Sequence, residues 1–471
     1  MLARHFASTA PSKGFTWPFA ASCGATPGVV QATTPYRKYM NLRNRQILQI
    51  ALPSIVSNIT VPLLGMVDVA IVGHMGSPVY IGAVAVGAMI FNLVYWLFGF
   101  LRMGTSGMTA QALGRRDLSE VIRILVRSAT LALVIAVTLI VLQVPLRWLM
   151  FWLIGPTHDV APFAASYFRI VIWGAPASLG LFSLLGWYIG MQNTRIPMFI
   201  SIMQNVVNIV ASLFLVYGLG LKIEGVALGT IIAQYASLLM AIGLLARKYG
   251  RLFRYFQGIQ SIRSMGAFFT VNRDIFLRTL CLVAVNLFFT SAGARHGAVI
   301  LSVNTVMMQL YLLFSYFMDG FAYAGEALSG RFYGARNREA FSETLRRLFG
   351  WMIAVTAAYT LLYIVGGMGI VGLLTDEPQV VDAARQYIGW AWIIPAAGAL
   401  AFIWDGVFIG LTATRGMLVS SFASALAFFG VYEATKGTLG NHGLWLAQIV
   451  YLTMRGILQT IWYRLKIINS F

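Results

Sequence analysis

The sequence predicts an all-α integral membrane protein of about twelve transmembrane helices, folded as two six-helix lobes that repeat one another in parallel. Three observations carry that prediction. The composition is apolar with long uncharged runs, the basic residues keep to alternate loops, and one constant offset superposes motifs from the two halves.

Composition excludes a soluble protein. Of 471 residues, 59% are hydrophobic and only 10% are charged, with a mean hydropathy of +0.76. A soluble chain carries about 25% charged residues. Apolar runs of about 18 or more residues recur, the length needed to cross a hydrocarbon core of ~30 Å. They fall at 46–74, 81–113, 121–144, 162–190, 196–218, 225–247, 272–293, 298–328, 349–373, 386–411, 417–434 and 443–463.

The formal charge of +19 invites a nucleic-acid partner, but its distribution argues against one. One set of loops holds Arg43, Arg45, Arg115, Arg116, Arg195, Arg247, Lys248, Arg251, Arg254, Arg331, Arg336, Arg338, Arg415, Arg464 and Lys466. The opposite set offers mainly Arg147, Lys222, Arg295 and Lys436. This alternation is the orientation signal of a membrane chain. It places both termini in the cytoplasm of a multi-pass protein of the cell inner (plasma) membrane, with the lipid bilayer as solvent.

The third observation is the repeat. A shift of 220 residues brings Gly114 onto Gly334, Arg116 onto Arg336, Tyr167 onto Tyr387 and Gly186 onto Gly406. It also matches Ile189-Gly190 with Ile409-Gly410 and Thr194-Arg195 with Thr414-Arg415. Apolar composition alone does not hold one offset across several helices. Each half has an even number of spans, so the halves enter the membrane in the same direction, with a substrate path at their interface.

The expected organisation is an N-terminal extension over 1–39, an N-lobe over 40–247, a basic cytoplasmic linker over 248–271 and a C-lobe over 272–471. The extension is rich in Ala, Ser, Thr and Pro and has no acidic residue. It reads as a disordered or targeting-like segment. Cys23 and Cys281 form no disulfide framework, and His5, His74, His158, His296 and His442 are isolated from one another. No cofactor or resident metal is therefore expected, and no catalytic group. No GxxxxGK[ST] loop is present, so ATP is not the direct energy source.

Ionisable residues at membrane depth are costly and mark function by default. Asp68 lies six residues before His74 in the outer half of the first span. Arg102 lies thirteen before Arg115, Asp319 twelve before Arg331 and Asp405 ten before Arg415; Arg455 is inside the last span. Glu326, five residues from Arg331, is within reach of the interface. Asp319 and Glu326, seven apart, share a helical face. Two pairings suggest themselves: Arg102 with Asp68, and Arg455 with Asp319 or Asp405. These deep charges are mostly acidic. Gln204, Asn205 and Asn208 in the fifth span and Thr230 in the sixth offer either interhelical hydrogen bonds or neutral oxygens for a cation. Pro53 and Pro62 remove backbone hydrogen bonds from the first span and make it a candidate hinge.

The run Asn58-Ile-Thr-Val-Pro62-Leu-Leu-Gly65-Met-Val-Asp68-Val-Ala-Ile-Val-Gly73-His74 resembles the first helix of the multidrug and toxic compound extrusion (MATE) family, in its DinF-like branch. Phe100-Leu-Arg102-Met103, Thr109-Ala-Gln111-Ala112, Asp319-Gly-Phe-Ala-Tyr323-Ala-Gly-Glu326 and Leu439-Gly-Asn-His442-Gly-Leu-Trp445-Leu-Ala447 extend the likeness to the C-terminus. The resemblance implies a V-shaped pair of lobes that extrudes drugs or metabolites in exchange for protons or sodium. It implies that Asp68 is the central coupling residue of the N-lobe. Sodium-binding relatives place an Asn on the fifth helix and a carboxylate one turn later; here Asn208 fits the first position, but Ser212 stands at the second. Thr230 matches the threonine of the sixth helix.

These readings converge on a monomeric secondary antiporter. It would export amphipathic, cationic or aromatic small molecules, with protons favoured over sodium as the coupling ion. A flippase for a lipid-linked sugar is the alternative, disfavoured by the acidic balance of the deep charges. A membrane-embedded enzyme lacks a nucleophile, base or metal cluster at useful spacing.

Overall fold

The computed structural model describes residues 35–73, 77–256, 258 and 262–468. Residues 1–34, most of the predicted extension, lie outside the described residues, as do His74 and parts of the predicted linker. The chain divides into two compact units, residues 1–42 and 43–471. Of the first unit, residues 35–42 are helical.

The described residues form helices and no strands. In the N-lobe these are α1 (Pro35–Gly73), α2 (Pro78–Leu97), α3 (Phe100–Gly114), α4 (Leu118–Val141), α5 (Gln143–Ile154), α6 (Ala161–Val171), α7 (Ala175–Gly190), α8 (Arg195–Leu213) and α9 (Ile223–Tyr249). In the C-lobe they are α10 (Ile262–Ala294), α11 (Ala298–Gly334), α12 (Arg338–Leu374), α13 (Pro378–Gly410), α14 (Thr414–Leu439) and α15 (Asn441–Trp462). The pairs α2–α3, α4–α5 and α6–α7 each make one crossing, which gives twelve. Ten of these crossings are long and apolar enough to span a bilayer on their own, and α1 and α15 complete the set. Large apolar side chains stand bare on the outer faces, Leu373 at 87% exposure and Val365 at 80% among them. Such a surface belongs against lipid tails.

The predicted repeat is visible in the backbone. Gly186 lets α7 approach Arg102, where an added Cβ would lie 2.3 Å from the carbonyl oxygen. Gly406 lets α13 approach Ala322 in the same way, at 2.1 Å. Arg102 and Ala322 are themselves 220 apart. Asp117 caps α4 by accepting from the Glu120 amide, and Asn337 caps α12 by accepting from Ala340, each at 2.9 Å. Arg116 and Arg336, and likewise Gln192 and Thr412, adopt positive φ between 52° and 61°. Non-glycine residues enter that left-handed region only at a cost of about 1–2 kcal/mol. Its recurrence at matched helix ends marks a turn inherited by both lobes.

The first helix of each lobe leans on the other lobe. Ala51 and Ile55 of α1 pack against Gly320 of α11, where an added Cβ would lie 2.4 Å from Ile55 Cγ1, and Asn58 donates to the Tyr316 carbonyl at 3.3 Å. Reciprocally, Ile275 of α10 joins the buried cluster of Phe100 and Leu101, and Phe276 meets the Phe100 ring edge-on at 5.9 Å.

At the end bearing the basic loops the lobes close on a seam of small residues. A Cβ on Gly114 would lie 2.1 Å from the Arg331 carbonyl oxygen, and one on Gly334 would lie 2.2 Å from that of Gln111. These two contacts exchange under the 220-residue offset, so the pseudo-symmetry axis runs between them. Gln111 donates to the Gly410 carbonyl at 2.9 Å and to Thr412 Oγ1 at 3.1 Å; the offset partner Arg331 donates to Gln192 Oε1 at 2.8 Å.

Candidate functional site

Two groups of polar residues sit inside the helical shell. In the N-lobe, α1 carries Asp68, α8 carries Gln204, Asn208 and Ser212, and α9 carries Thr230. The one-turn spacing on α8 sets Asn208 and Ser212 on one face, both fully buried. Asn208 donates to Thr230 Oγ1 at 3.2 Å, and Thr230 returns its own hydrogen to the Val226 carbonyl at 3.1 Å. Gly229 brings α9 directly against Ser212. Tyr167 lies within electrostatic reach of Asp68. Three oxygens here are buried without a hydrogen-bond partner among the described residues: Asp68 Oδ1, Asn208 Oδ1 and Ser212 Oγ. Native interiors rarely leave such atoms unmet, which makes the group the N-lobe's candidate site. Gln204 is half-buried one turn before Asn208, while Asn205 is spent on the Thr60 carbonyl at 2.7 Å, tying α8 to α1. α1 stays helical through both Pro53 and Pro62.

The second group lines a cavity of about 570 Å³ walled by α10, α11, α13 and α15, with α2 and α3 closing its side. It reaches down to Glu326 and Ile409, where the small-residue seam begins. Arg102 of α3 forms an ion pair with Glu326 of α11 at 3.6 Å and lies 4.4 Å over the Tyr323 ring. Asp405 of α13 pairs with Arg278 of α10 and, at 2.5 Å, with Arg455 of α15; Gln459 donates to its other oxygen at 2.7 Å. Asp319 accepts from Ser315 Oγ at 3.5 Å.

This arrangement corrects three expectations and decides between the alternatives of a fourth. Arg102 neutralises Glu326 rather than Asp68, because the close α3–α11 contact turns it toward the C-lobe. Glu326 does not reach an interface: it is 1% exposed, sealed by the seam below it. Of the two partners open to Arg455, the structure chooses Asp405. The charges that line the cavity are not mostly acidic. Arg278, which falls in the predicted span 272–293 and was not singled out there, lies sixteen residues into α10, roughly 24 Å along the helix, and is 5% exposed. The cavity wall therefore holds Arg102, Arg278 and Arg455 against Asp319, Glu326 and Asp405. The signal that would have found Arg278 was present: it is followed by an uncharged stretch that runs from Thr279 to Ala294. Asp274, also missed, accepts from Thr414 Oγ1 at 3.2 Å and from Arg273 at 3.0 Å, away from the cavity.

Among the described residues no three His, Cys, Asp or Glu side chains gather as a metal site. The polar groups can bind a small cation or proton in the N-lobe and an organic molecule in the C-lobe cavity.

The sequence profile of the MatE family matches residues 53–214 and 275–431. The chain is 39% identical over 430 residues to DNA damage-inducible protein F of Escherichia coli (strain K12), covering 90% of this chain and 93% of that protein. It is 24% identical over 449 residues to the probable multidrug resistance protein NorM of Acinetobacter baylyi, covering 88% and 94%. A solved structure of MATE in the bent conformation superposes with a TM-score of 0.82 at 19% identity, covering 93% of this chain and 98% of that one.

Proposed function

The chain belongs to the MatE family, in its DinF-like branch, and from that membership we propose that it is a secondary antiporter exporting amphipathic small molecules in exchange for protons. It sits in the inner membrane as a multi-pass monomer with both termini cytoplasmic. The basic-loop end is then the cytoplasmic end, so the lobes are closed toward the cytoplasm and the cavity belongs to the outward-facing half of an alternating-access cycle. Cationic and aromatic compounds suit the aromatic walls and the carboxylate of Asp319.

One observation carries the coupling. The N-lobe group has a single carboxylate, Asp68 of α1, with one oxygen buried and unpartnered, and the neutral oxygens of Asn208 and Ser212 on α8 and Thr230 on α9. Sodium gains most from anionic oxygens, and only one residue here supplies any. A proton needs one carboxylate whose surroundings change as the lobes move. Proton uptake from outside neutralises Asp68 and discharges the substrate, and proton loss to the cytoplasm resets the site.

Inverted vesicles loaded with a pH gradient alone and a sodium gradient alone test this reading. Uptake should follow the pH gradient and vanish when it is collapsed. Asp68→Asn should insert and fold normally yet lose gradient-driven uptake. Sodium-driven uptake indifferent to the pH gradient refutes proton coupling, and wild-type uptake by the Asn variant removes Asp68 from the mechanism.

A further inference from the structure

The C-lobe cavity has two electrical poles that its direct ion pairs leave uncancelled. Arg102 and Glu326 neutralise each other at 3.6 Å. Asp405 stands against two guanidinium groups, Arg278 and Arg455, so that cluster carries one surplus positive charge. Asp319 has no arginine within ion-pair distance among the described residues and accepts only from Ser315, so it holds one surplus negative charge. The wall as a whole is neutral, yet each surplus sits on its own group.

The cationic pole is also short of acceptors. Arg278 and Arg455 are 5% and 4% exposed, both line the cavity, and the Nε–H of each finds no acceptor among the described residues. A buried donor left unmet costs about 1–3 kcal/mol. The surplus charge of these two guanidinium groups on the cavity wall suits the oxygens of a carboxylate or related acid, which arginine meets with charge-assisted hydrogen bonds. Between the poles Tyr311 lies within electrostatic reach of Asp319, Asp405 and Arg455. Phe289, Phe402 and Trp96 supply apolar wall. The volume is in the range of pockets that hold drug-sized ligands, about 300–1,000 Å³.

We propose that this cavity takes zwitterionic amphipaths: an apolar or aromatic body bearing one acidic group, seated on Arg278 and Arg455 beside Asp405, and one basic group, seated on Asp319. This narrows the substrate class and rests on the reading of the cavity as the substrate site. A purely cationic ligand leaves the surplus charge of the two arginines unmet. A purely anionic one meets the carboxylate of Asp319 at the far pole.

The test uses one aromatic body in three charge forms: 2-naphthylalanine, its amide (cationic) and its N-acetyl derivative (anionic). Binding to the purified full chain in phosphatidylcholine nanodiscs is measured by calorimetry. The zwitterion should bind about tenfold or more tighter than either blocked form, the worth of one charge-assisted hydrogen bond. Arg278→Gln, which leaves Asp405 paired with Arg455, should bring the zwitterion to the level of the amide and leave the amide unchanged. Asp319→Asn should bring it to the level of the N-acetyl form. Should Arg278→Gln fail to fold, Arg278→Lys keeps the charge and should keep a weaker preference for the free carboxylate. Equal or tighter binding of either blocked form overturns the proposal. So does no binding at all, an equal loss of all three forms in a variant, or loss of the carboxylate preference in Arg278→Lys. Because binding is read without a gradient, its failure leaves proton-driven efflux standing, and failure of efflux in vesicles leaves the binding result intact.

Discussion

Replacing Gly107 with alanine should pry the lobes apart at the basic-loop end without unfolding the protein. Gly107 lies inside α3, and a Cβ there would sit 2.1 Å from the carbonyl oxygen of Ile409 and 2.9 Å from its carbon. Those are backbone atoms of a buried helix and cannot swing aside. Ordinary contact begins near 3.5 Å, so the seam must widen by roughly 1 Å. Overpacking of this kind costs about 1–3 kcal/mol. Alanine gains about 1 kcal/mol of helix propensity over glycine, but that gain is the same whether the seam is open or shut. The clash exists only when it is shut. The ratio of closed to open should therefore fall by about 5- to 150-fold. Spin labels on the exposed positions Arg115 and Glu339, in a chain whose two native cysteines are replaced, report the separation by pulsed electron resonance. The Ala variant should gain a longer-distance population at an unchanged melting temperature. An unchanged distance distribution refutes the seam as a gate, and a lowered melting temperature without longer distances means the clash spreads through the packing instead.

Two further outcomes follow from the ion pairs. Arg102→Gln leaves Glu326 buried without its partner and should reduce folded protein in membranes, whereas adding Glu326→Gln should recover much of it; if the double variant is no better than the single, the 3.6 Å pair is not an energetic tie between lobes. Asp405→Asn strands two guanidinium groups at a cost of about 3–5 kcal/mol and should nearly abolish folded protein. Asp319→Asn should express like wild type, and equal yields from the two by fluorescence-detected size exclusion would contradict the charge assignment.

Depth along a helix was legible in the sequence because every residue advances by a fixed rise. Counting from loop arginines put Asp319 and Asp405 inside the membrane, and the offset of 220 located helix contacts as well as motifs. Direction around the axis was less so. Arg102 and Asp68 were matched by opposite sign alone, whereas the close approach of α3 to α11, which glycine and alanine permit, turns Arg102 onto Glu326. Arg278 was hidden for another reason. Position 278 is close to the start of the span predicted from 272, where a charge reads as interfacial, yet α10 begins at Ile262, which carries Arg278 into the cavity wall. Asn208, Ser212 and Thr230 were recognisable from one-turn spacing and family likeness together. That two of their oxygens are left unpartnered depends on packing that no spacing encodes.

The two lobes share an ancestry but no longer a texture. In the N-lobe the crossings are interrupted: at Phe98–Gly99 between α2 and α3, at Leu142, at the 3₁₀ turn Ile172–Gly174 and at the π-helical end of α8 over Phe214–Gly218. At the matched positions α11, α12, α13 and α14 run unbroken for 37, 37, 33 and 26 residues, and the C-lobe's π-helical segment comes instead at the end of α15, over Tyr463–Ile467. Short 3₁₀ and π segments are where helices bend most cheaply. The duplicated halves are thus built unequally, one of long unbroken beams and the other of jointed ones. Bending of either lobe would be cheapest at the joints of the N-lobe, the half that carries Asp68.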